Sequence, residues 1–235
     1  MTKALILAAG PGTRLKHFTK NKPKALVEIE GIAILEHQLK ILIKNNINEI
    51  YIVIGFKGHL IKNYIKKNFG HLKIVFIENK VFYKTESSYS YYLAKKYLYN
   101  KSYFHINCDI LFSNKTIKSL LKSKYTNLIC SRKTGKIANN MHLIRTKNNL
   151  ITKYENFFFH EDHKKIFGLA KFSAKMSKNL FDLIGHQVKN KNRNKNCFSY
   201  LSEIVNRIPL HNKSFDIKNL YEINTVNELR EFKKK

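Results

Sequence analysis

The stretch that decides the fold is LILAAGPGTRLKHFTKNKPKALV, Leu5 to Val27. It sits in a run of small and apolar residues, residues 4–9, which reads as a buried parallel strand covered on both faces. The run passes directly into Gly10-Pro11-Gly12-Thr13-Arg14. Two glycines there allow positive φ and let a ligand approach the backbone, and Pro11 fixes one φ between them. Successive N–H groups in such a loop form an anion-binding concavity, to which Arg14 adds a planar, permanently charged fork. Lys24 places a second cation just before Ala25-Leu26-Val27. Strand, glycine loop, Arg and Lys together describe a cradle for a polyphosphate. The loop is not a P-loop, since no Gly-Lys-Ser/Thr follows, and it is not the G-x-G-x-x-G of dinucleotide folds.

Downstream, the apolar period alternates. Residues 26–29 predict a short strand turned at Gly31, and Ile34, Leu35, Gln38, Leu39, Leu42 and Ile43 recur at helical spacing to about Lys44. Residues 49–54 read as a strand, 57–68 as a helix and 73–77 as a strand. This alternation predicts a parallel sheet with right-handed crossovers and a ligand site at the carboxyl ends of its strands, where the Gly10 loop falls. Residues 84–94 read as a loop entering a helix, with Ser87 or Ser88 as N-cap. The strand from Tyr103 is apolar through Ile106 and ends in Asn107-Cys108-Asp109. A carboxylate at a strand end carries a desolvation cost unless it is paired, which marks Asp109, although an Asp opening a turn is the plainer alternative.

In the second half, residues 114–123 predict a helix, 127–131 a strand and 134–140 a loop. Residues 141–144 and 150–153 predict antiparallel strands around an Asn148-Asn149 turn. The triplet Phe157 to Phe159 reads as a lid or an interface, and His160, Asp162 and His163 as an exposed hairpin tip rather than a metal site. A buried strand at 166–173, a capped helix from Ser173 to about residue 183 and a polar, mobile stretch at 187–196 follow. An amphipathic helix at 198–207 and a short strand at 215–217 complete the pattern, with the last three lysines as a frayed tail.

A length of 235 residues suits one sizeable core, a domain with an appended lobe. No apolar run approaches membrane-spanning length, and a strand at the very start leaves no room for a signal peptide. Cys108, Cys130 and Cys197 have no metal-ligand spacing, and an odd, scattered set suits reduced thiols in a cytoplasm. The net charge of +28 is the electrostatic footprint of a nucleic-acid binder. Lysines are nevertheless spread along the whole chain in a composition rich in Lys, Asn and Ile, so we read them as solvated faces. Attraction of anionic nucleotides or of a membrane surface is then a by-product, and no specific nucleic acid is expected.

The string L-A-A-G-x-G-T-R-L from Leu7 to Leu15, with P-K-A-L from Pro23, resembles the signature of the nucleotidyltransferases that make nucleoside-diphosphate sugars and related activated phosphate esters. The setting I-N-C-D-I-L-F around Asp109 is similar to that family's metal segment, and residues 166–173 to its G-x-x-x-F-S strand. Residues 220–229 resemble its closing Y-E-I-D-T-x-x-D-L motif, with Asn224 where the family has Asp. The resemblance implies a Rossmann-like three-layer α/β fold with a mostly parallel mixed sheet and a small β lobe on the acceptor side. It implies one domain over residues 1–235, with a nucleotide-binding half at 1–112 and an acceptor-binding half at 113–235.

By the same resemblance Leu7, Ala8, Ala9, Gly10, Gly12, Thr13 and Asn107 would hold the nucleotide, and Glu86, Ser87, Ser88 and Ser90 would read its base. Arg14 and Lys24 would be catalytic, Asp109, Glu222 and Asn224 would bind Mg²⁺, and Lys153 would contact the acceptor phosphate. The 84–94 junction looks closest to the phosphocholine cytidylyltransferase branch, although Glu86 and Ser87 stand where that branch often has an Asn pair. The implied reaction joins an NTP, CTP by preference, to a small phosphate monoester and releases pyrophosphate. A sugar 1-phosphate acceptor for cell-surface glycoconjugates is the close rival. A non-catalytic nucleotide- or RNA-binding protein on the same fold is the reading of another class, motivated by Asn224 and the charge.

Overall fold

The computed structural model of the chain describes residues 2–133, 141–155 and 163–232. Its first half runs β1 (Lys3–Ala8), β2 (Glu28–Ile29), β3 (Ile32–Ala33), α1 (Ile34–Lys44), β4 (Glu49–Ile54), α2 (Gly58–Phe69), β5 (Ile74–Glu78), α3 (Ser87–Leu93), α4 (Lys95–Leu98), β6 (Tyr103–Asn107) and β7 (Ile110–Phe112). The second half runs α5 (Asn114–Leu121), β8 (Leu128–Lys133), β9 (Leu143–Lys147), β10 (Leu150–Glu155), β11 (Lys164–Phe172), α6 (Ala174–Lys189), α7 (Leu201–Ile204), β12 (His211–Ser214), β13 (Leu220–Glu222) and α8 (Val226–Phe232).

Nine strands form one mixed sheet in the order β5-β4-β1-β6-β11-β8-β12-β10-β9. The first four are parallel, as their alternation with helices predicts. β11 then enters antiparallel to β6, and β8 and β12 add one more parallel pair. β9 returns to pair with the start of β11, so the strands of the second half curl back on themselves while remaining part of the same sheet.

Alternation along β1 explains the layers. Ala4, Ile6 and Ala8 face one cluster with residues of α1, α2 and α5, whereas Leu5, Leu7 and Ala9 face the other with residues of α3, α4, α6 and α7. Helices on both faces of the sheet give the expected three layers. A third, smaller cluster joins the two ends of the chain: Leu15, Val27, Ile29 and Ile34 pack with Leu111, Tyr221, Ile223 and Leu229.

Several local expectations change. Helix α3 starts at Ser87 with Glu86 at the N-cap position and no side-chain cap, so neither Ser87 nor Ser88 caps it. Ser87 Oγ instead accepts the Cys197 N–H at 2.9 Å, and Ser88 is wholly buried. Helix α6, capped by Ser173 as expected, runs on to Lys189. The stretch expected to be mobile is strapped to the α3 entrance: the Glu86 N–H donates to Arg193 O at 2.9 Å and the Ser88 N–H to Lys195 O at 3.1 Å. Backbone pairing of this kind leaves no side-chain signature, which is why polarity alone misreads it.

The predicted 198–207 helix shrinks to a 3-10 turn, Cys197–Tyr200, and the single turn of α7. The last strand of the nine-stranded sheet is β12 rather than 215–217, a polar tetrapeptide recruited by pairing with β8 and β10. His163 is 2% exposed and so lies inside the fold rather than on a tip. The Asn148-Asn149 turn has φ of 49° and 65°, the doubly positive pattern of a tight hairpin. All three cysteines are buried free thiols. Among the described residues no helix is long and apolar enough to cross a membrane. The 134–140 loop, Phe157 to Phe159, His160, Asp162 and the terminal lysines lie outside the described residues.

The third cluster fixes the C-terminal segment to the glycine loop, so truncating its centre tests that role. Ile223→Ala is expected to cost about 2–5 kcal/mol in urea unfolding, as for other buried Ile-to-Ala changes. A loss below about 0.5 kcal/mol would show that the cluster does not hold the two ends together.

Candidate active site

The glycine loop leaves β1 at Ala9, whose carbonyl accepts the Phe56 N–H at 2.9 Å. Gly12 has φ 67°, and a Cβ there would lie 2.8 Å from Lys24 Cβ, so this position needs glycine twice over. Gly10 is different: its φ is not positive, and a Cβ would meet nothing within 4 Å. Only one of the two glycines is therefore demanded by conformation. The Thr19 hydroxyl donates to Gly12 O at 2.9 Å and closes the loop on itself.

This loop forms one wall of a cleft of about 810 Å³. From the first strand and loop, Leu7, Ala9, Gly10, Gly12 and Thr13 line it; from the α3 junction, Glu86, Ser87 and Ser90; from the end of β6, Asn107. Ala8 and Ser88 do not, because both side chains are turned into the core. A second cavity of about 710 Å³ adjoins it and shares Arg14, Glu86, Asn107, Asp109, Asn194 and Asn196. Lys165, Glu222 and Asn224 line the second cavity. Lys153 is exposed on β10 and lines neither.

Where the cavities meet, Lys24 Nζ donates to Asp109 Oδ2 at 2.8 Å and to Asn224 Oδ1 at 2.9 Å. Arg14 Nη2 donates to the same Asn224 oxygen at 2.8 Å. The Lys24 side chain is 8% exposed and that of Asp109 17%, so the pair is largely removed from water. An ion pair this buried balances desolvation against attraction, and losing one partner strands the other charge.

The backbone holds each member in place. Gln38, buried on α1, donates from Nε2 to Asn107 O at 2.9 Å and to Ile110 O at 2.8 Å, gripping the turn that presents Asp109. Ile223 N–H donates to Asp109 O at 2.9 Å, which ties that turn to the C-terminal segment. Asn224 is fixed by a capping box: Glu228 Oε2 accepts the N–H groups of Asn224 and Thr225, and the Thr225 hydroxyl accepts the Glu228 N–H.

Glu222 accepts from Lys165 Nζ at 2.6 Å, both side chains being mostly buried. The sequence alone marks neither Lys165 nor Gln38 as a site residue. A lysine entering an otherwise apolar strand is the one signal for Lys165, while Gln38 looks like one more position on a helical face.

Asp109 Oδ1 is buried without a hydrogen-bond partner. An orphaned carboxylate oxygen, an amide oxygen on Asn224 and Glu222 in the adjoining cavity form an all-oxygen donor set. That set suits a hard cation that keeps waters and phosphate oxygens in its shell. Among the described residues no group of three or more His, Cys, Asp or Glu side chains converges to cage a metal.

The geometry is that of two adjoining polar cavities joined at a cationic centre. A family model described as the MobA-like NTP transferase domain matches residues 4–171, and the chain belongs to that family. It is 38% identical over 123 residues to choline-phosphate cytidylyltransferase of Streptococcus pneumoniae, covering 52% of each chain. It is 45% identical over 73 residues to glucose-1-phosphate cytidylyltransferase of Salmonella typhimurium, covering 31% of this chain and 28% of that one. The chain spans about half the length, or less, of the curated relatives it matches. The solved CTP:phosphocholine cytidylyltransferase of Streptococcus pneumoniae has the same fold, with a TM-score of 0.81 at 23% identity over 99% of this chain and 97% of that one.

Because Gly12 backs directly onto Lys24, adding a methyl group there should displace the ammonium. Gly12→Ala is expected to weaken binding of an NTP at least tenfold in calorimetry, whereas Gly10→Ala should leave the thermal midpoint unchanged. Equal thermal midpoints and equal affinities for Gly12→Ala and the unmodified chain would refute this account of the loop.

Proposed function

We propose that the chain is a nucleotidyltransferase that transfers a nucleotidyl group from an NTP, CTP by preference, to a small phosphate monoester and releases pyrophosphate. The observation that carries this reading is the buried Lys24–Asp109 pair, with Arg14, at the junction of two adjoining polar cavities. A donor phosphate chain in the first cavity and an acceptor phosphate in the second would meet there. The acceptor oxygen is already anionic and attacks the α-phosphorus. One P–O bond forms as the bond to pyrophosphate breaks, so no general base is required. What the protein supplies is alignment and compensation of charge.

In this reading the Gly10–Thr13 backbone and Arg14 take the β- and γ-phosphates, and Lys24 spans the α-phosphate and the acceptor phosphate. Asn224 directs both cations by accepting from each. Glu86, Ser87 and Ser90 face the base, and Lys165, rather than the exposed Lys153, is the acceptor-side cation. Enzymes of this family generally use a divalent metal. Here Mg²⁺ would be held by Asp109 and Glu222 with Asn224, and would neutralise phosphate oxygens. The reading includes action in a cytoplasm, which three free buried thiols suit.

Two acceptor classes divide the site. A phosphocholine acceptor is favoured by the likeness of the α3 junction to that branch and by the 38% identity to a choline-phosphate cytidylyltransferase. A sugar 1-phosphate is favoured by the second cavity, whose described lining includes Asn194, Asn196, Ser199 and Glu222 with Phe198 as its phenylalanine. A quaternary ammonium prefers several aromatic faces, whereas hydroxyl groups prefer amides and carboxylates.

Pyrophosphate release with Mg²⁺, crossing five NTPs against phosphocholine and a panel of sugar 1-phosphates, tests the reaction and separates the acceptors. Salt-dependent retention on random RNA with no release under any pairing would favour a non-catalytic binder instead. Lys24→Ala and Asp109→Ala should each lower turnover about 10²–10³-fold or more with the fold retained. Full activity in Asp109→Ala would overturn the metal assignment. Asn224→Asp, which adds a hard anionic ligand, should lower the Mg²⁺ concentration for half-maximal activity. An unchanged metal requirement would place Asn224 outside the metal shell.

A further inference from the structure

His105 is a fully buried histidine that the proposed chemistry does not use. It lies on β6, two residues before Asn107, and its ring packs 4.7 Å from Phe198, 5.7 Å from Tyr91 and 6.2 Å from Phe172, centroid to centroid. In this apolar nest Nε2 lies 3.1 Å from Asn107 Oδ1 and 3.9 Å from Cys197 Sγ, while Nδ1 has no partner. Burial pushes its pKa down to about 4, so near neutral pH the ring is uncharged and carries one N–H.

That single proton decides which way the Asn107 amide faces. A proton on Nε2 donates to Asn107 Oδ1 and leaves Nδ1 as a bare lone pair. The alternative, with the amide reversed and Nε2 accepting, would put the proton on Nδ1, buried with no acceptor. An unsatisfied buried N–H is the costlier defect, so the first arrangement wins. On the opposite wall, a Cβ at Gly168 would come within 2.3 Å of Asn107 Nδ2, so the amide is seated against bare β11 backbone. Asn107 lines both cavities.

We propose that His105 is a positioning residue that fixes the Asn107 carboxamide so that its N–H₂ group, not its oxygen, is presented to the phosphate held between the two cavities. The device rests on the nucleotidyl-transfer reading for its ligand, but the tautomer itself does not. A donor at this point would meet an anionic phosphate oxygen, whereas the reversed amide would turn a carbonyl toward it. His105 touches no substrate and acts only through Asn107.

Two measurements decide it. Long-range ¹H–¹⁵N NMR of the histidine-labelled, ligand-free chain should show His105 as the Nε2–H tautomer; an Nδ1–H tautomer overturns the proposal whatever the enzyme does. In pyrophosphate-release assays, His105→Phe keeps the ring volume and should lower kcat/KM roughly 10- to 100-fold. His105→Gln, whose amide can donate from nearly the same point, should restore most of that loss. In an Asn107→Ala background His105→Phe should have little further effect, because the two act as one unit. Additive losses, or equal damage from Phe and Gln, would reduce His105 to a packing residue. Should His105→Phe fail to fold, the Gln variant and the tautomer still decide between positioning and packing. If the unmodified chain releases no pyrophosphate with any pair, the nucleotidyl-transfer reading fails, and the tautomer alone reports on the His105–Asn107 geometry.

Discussion

A lysine ammonium removed from water organises this protein. Lys24 Nζ is held by Asp109 and Asn224, and Asn224 also receives Arg14, so four side chains from the start, middle and end of the chain share one small network. Lys24 and Asp109 would each be costly to bury alone, and together with Asn224 they satisfy most of one another's demands, while Arg14 reaches in from an exposed position. The exception is Asp109 Oδ1, which has no protein partner.

The rest of the fold brings those four residues to one place. Parallel strands covered on both faces deliver the glycine loop and the Asp109 turn to the same carboxyl end of the sheet. Gln38 grips that turn from the α1 side and His105 steadies its Asn107 from the opposite layer. The small third cluster then clamps the C-terminal segment across the loop, and the capping box at Thr225 and Glu228 sets the position of Asn224. Stability and site are coupled here: the apolar contacts that join the chain ends also place the polar ones.

The second half of the sheet follows different physics. Apart from the parallel β8–β12 pair its strands are antiparallel; they curl back on β11 and include the polar β12, whose place depends on partners rather than on its own residues. The strap between residues 193–197 and the α3 entrance is made largely of backbone hydrogen bonds. Asn194 and Asn196, which this strap brings into both cavities, come from the stretch that composition marks as mobile.

Local sequence was enough to mark the parallel half of the sheet, the glycine loop, Arg14, Lys24 and Asp109. Each is written locally, in the apolar period of β1, the loop chemistry, or a carboxylate set at the end of an apolar strand. It also marked Glu222 and Asn224, through a short motif whose spacing is local. Only the tertiary structure decided that Asn224 accepts from both cations, that Lys165 pairs with Glu222, and that Lys153 lies away from the cleft. It alone showed that Gly12 is demanded and Gly10 is not, since the reason is the nearness of Lys24. Gln38 reads as an ordinary core position because its hydrogen bonds cross to another element, and His105 because its burial comes from the layers packed around β6. Pairings across about 70 to 200 residues of chain depend on how layers stack, and no local period encodes them.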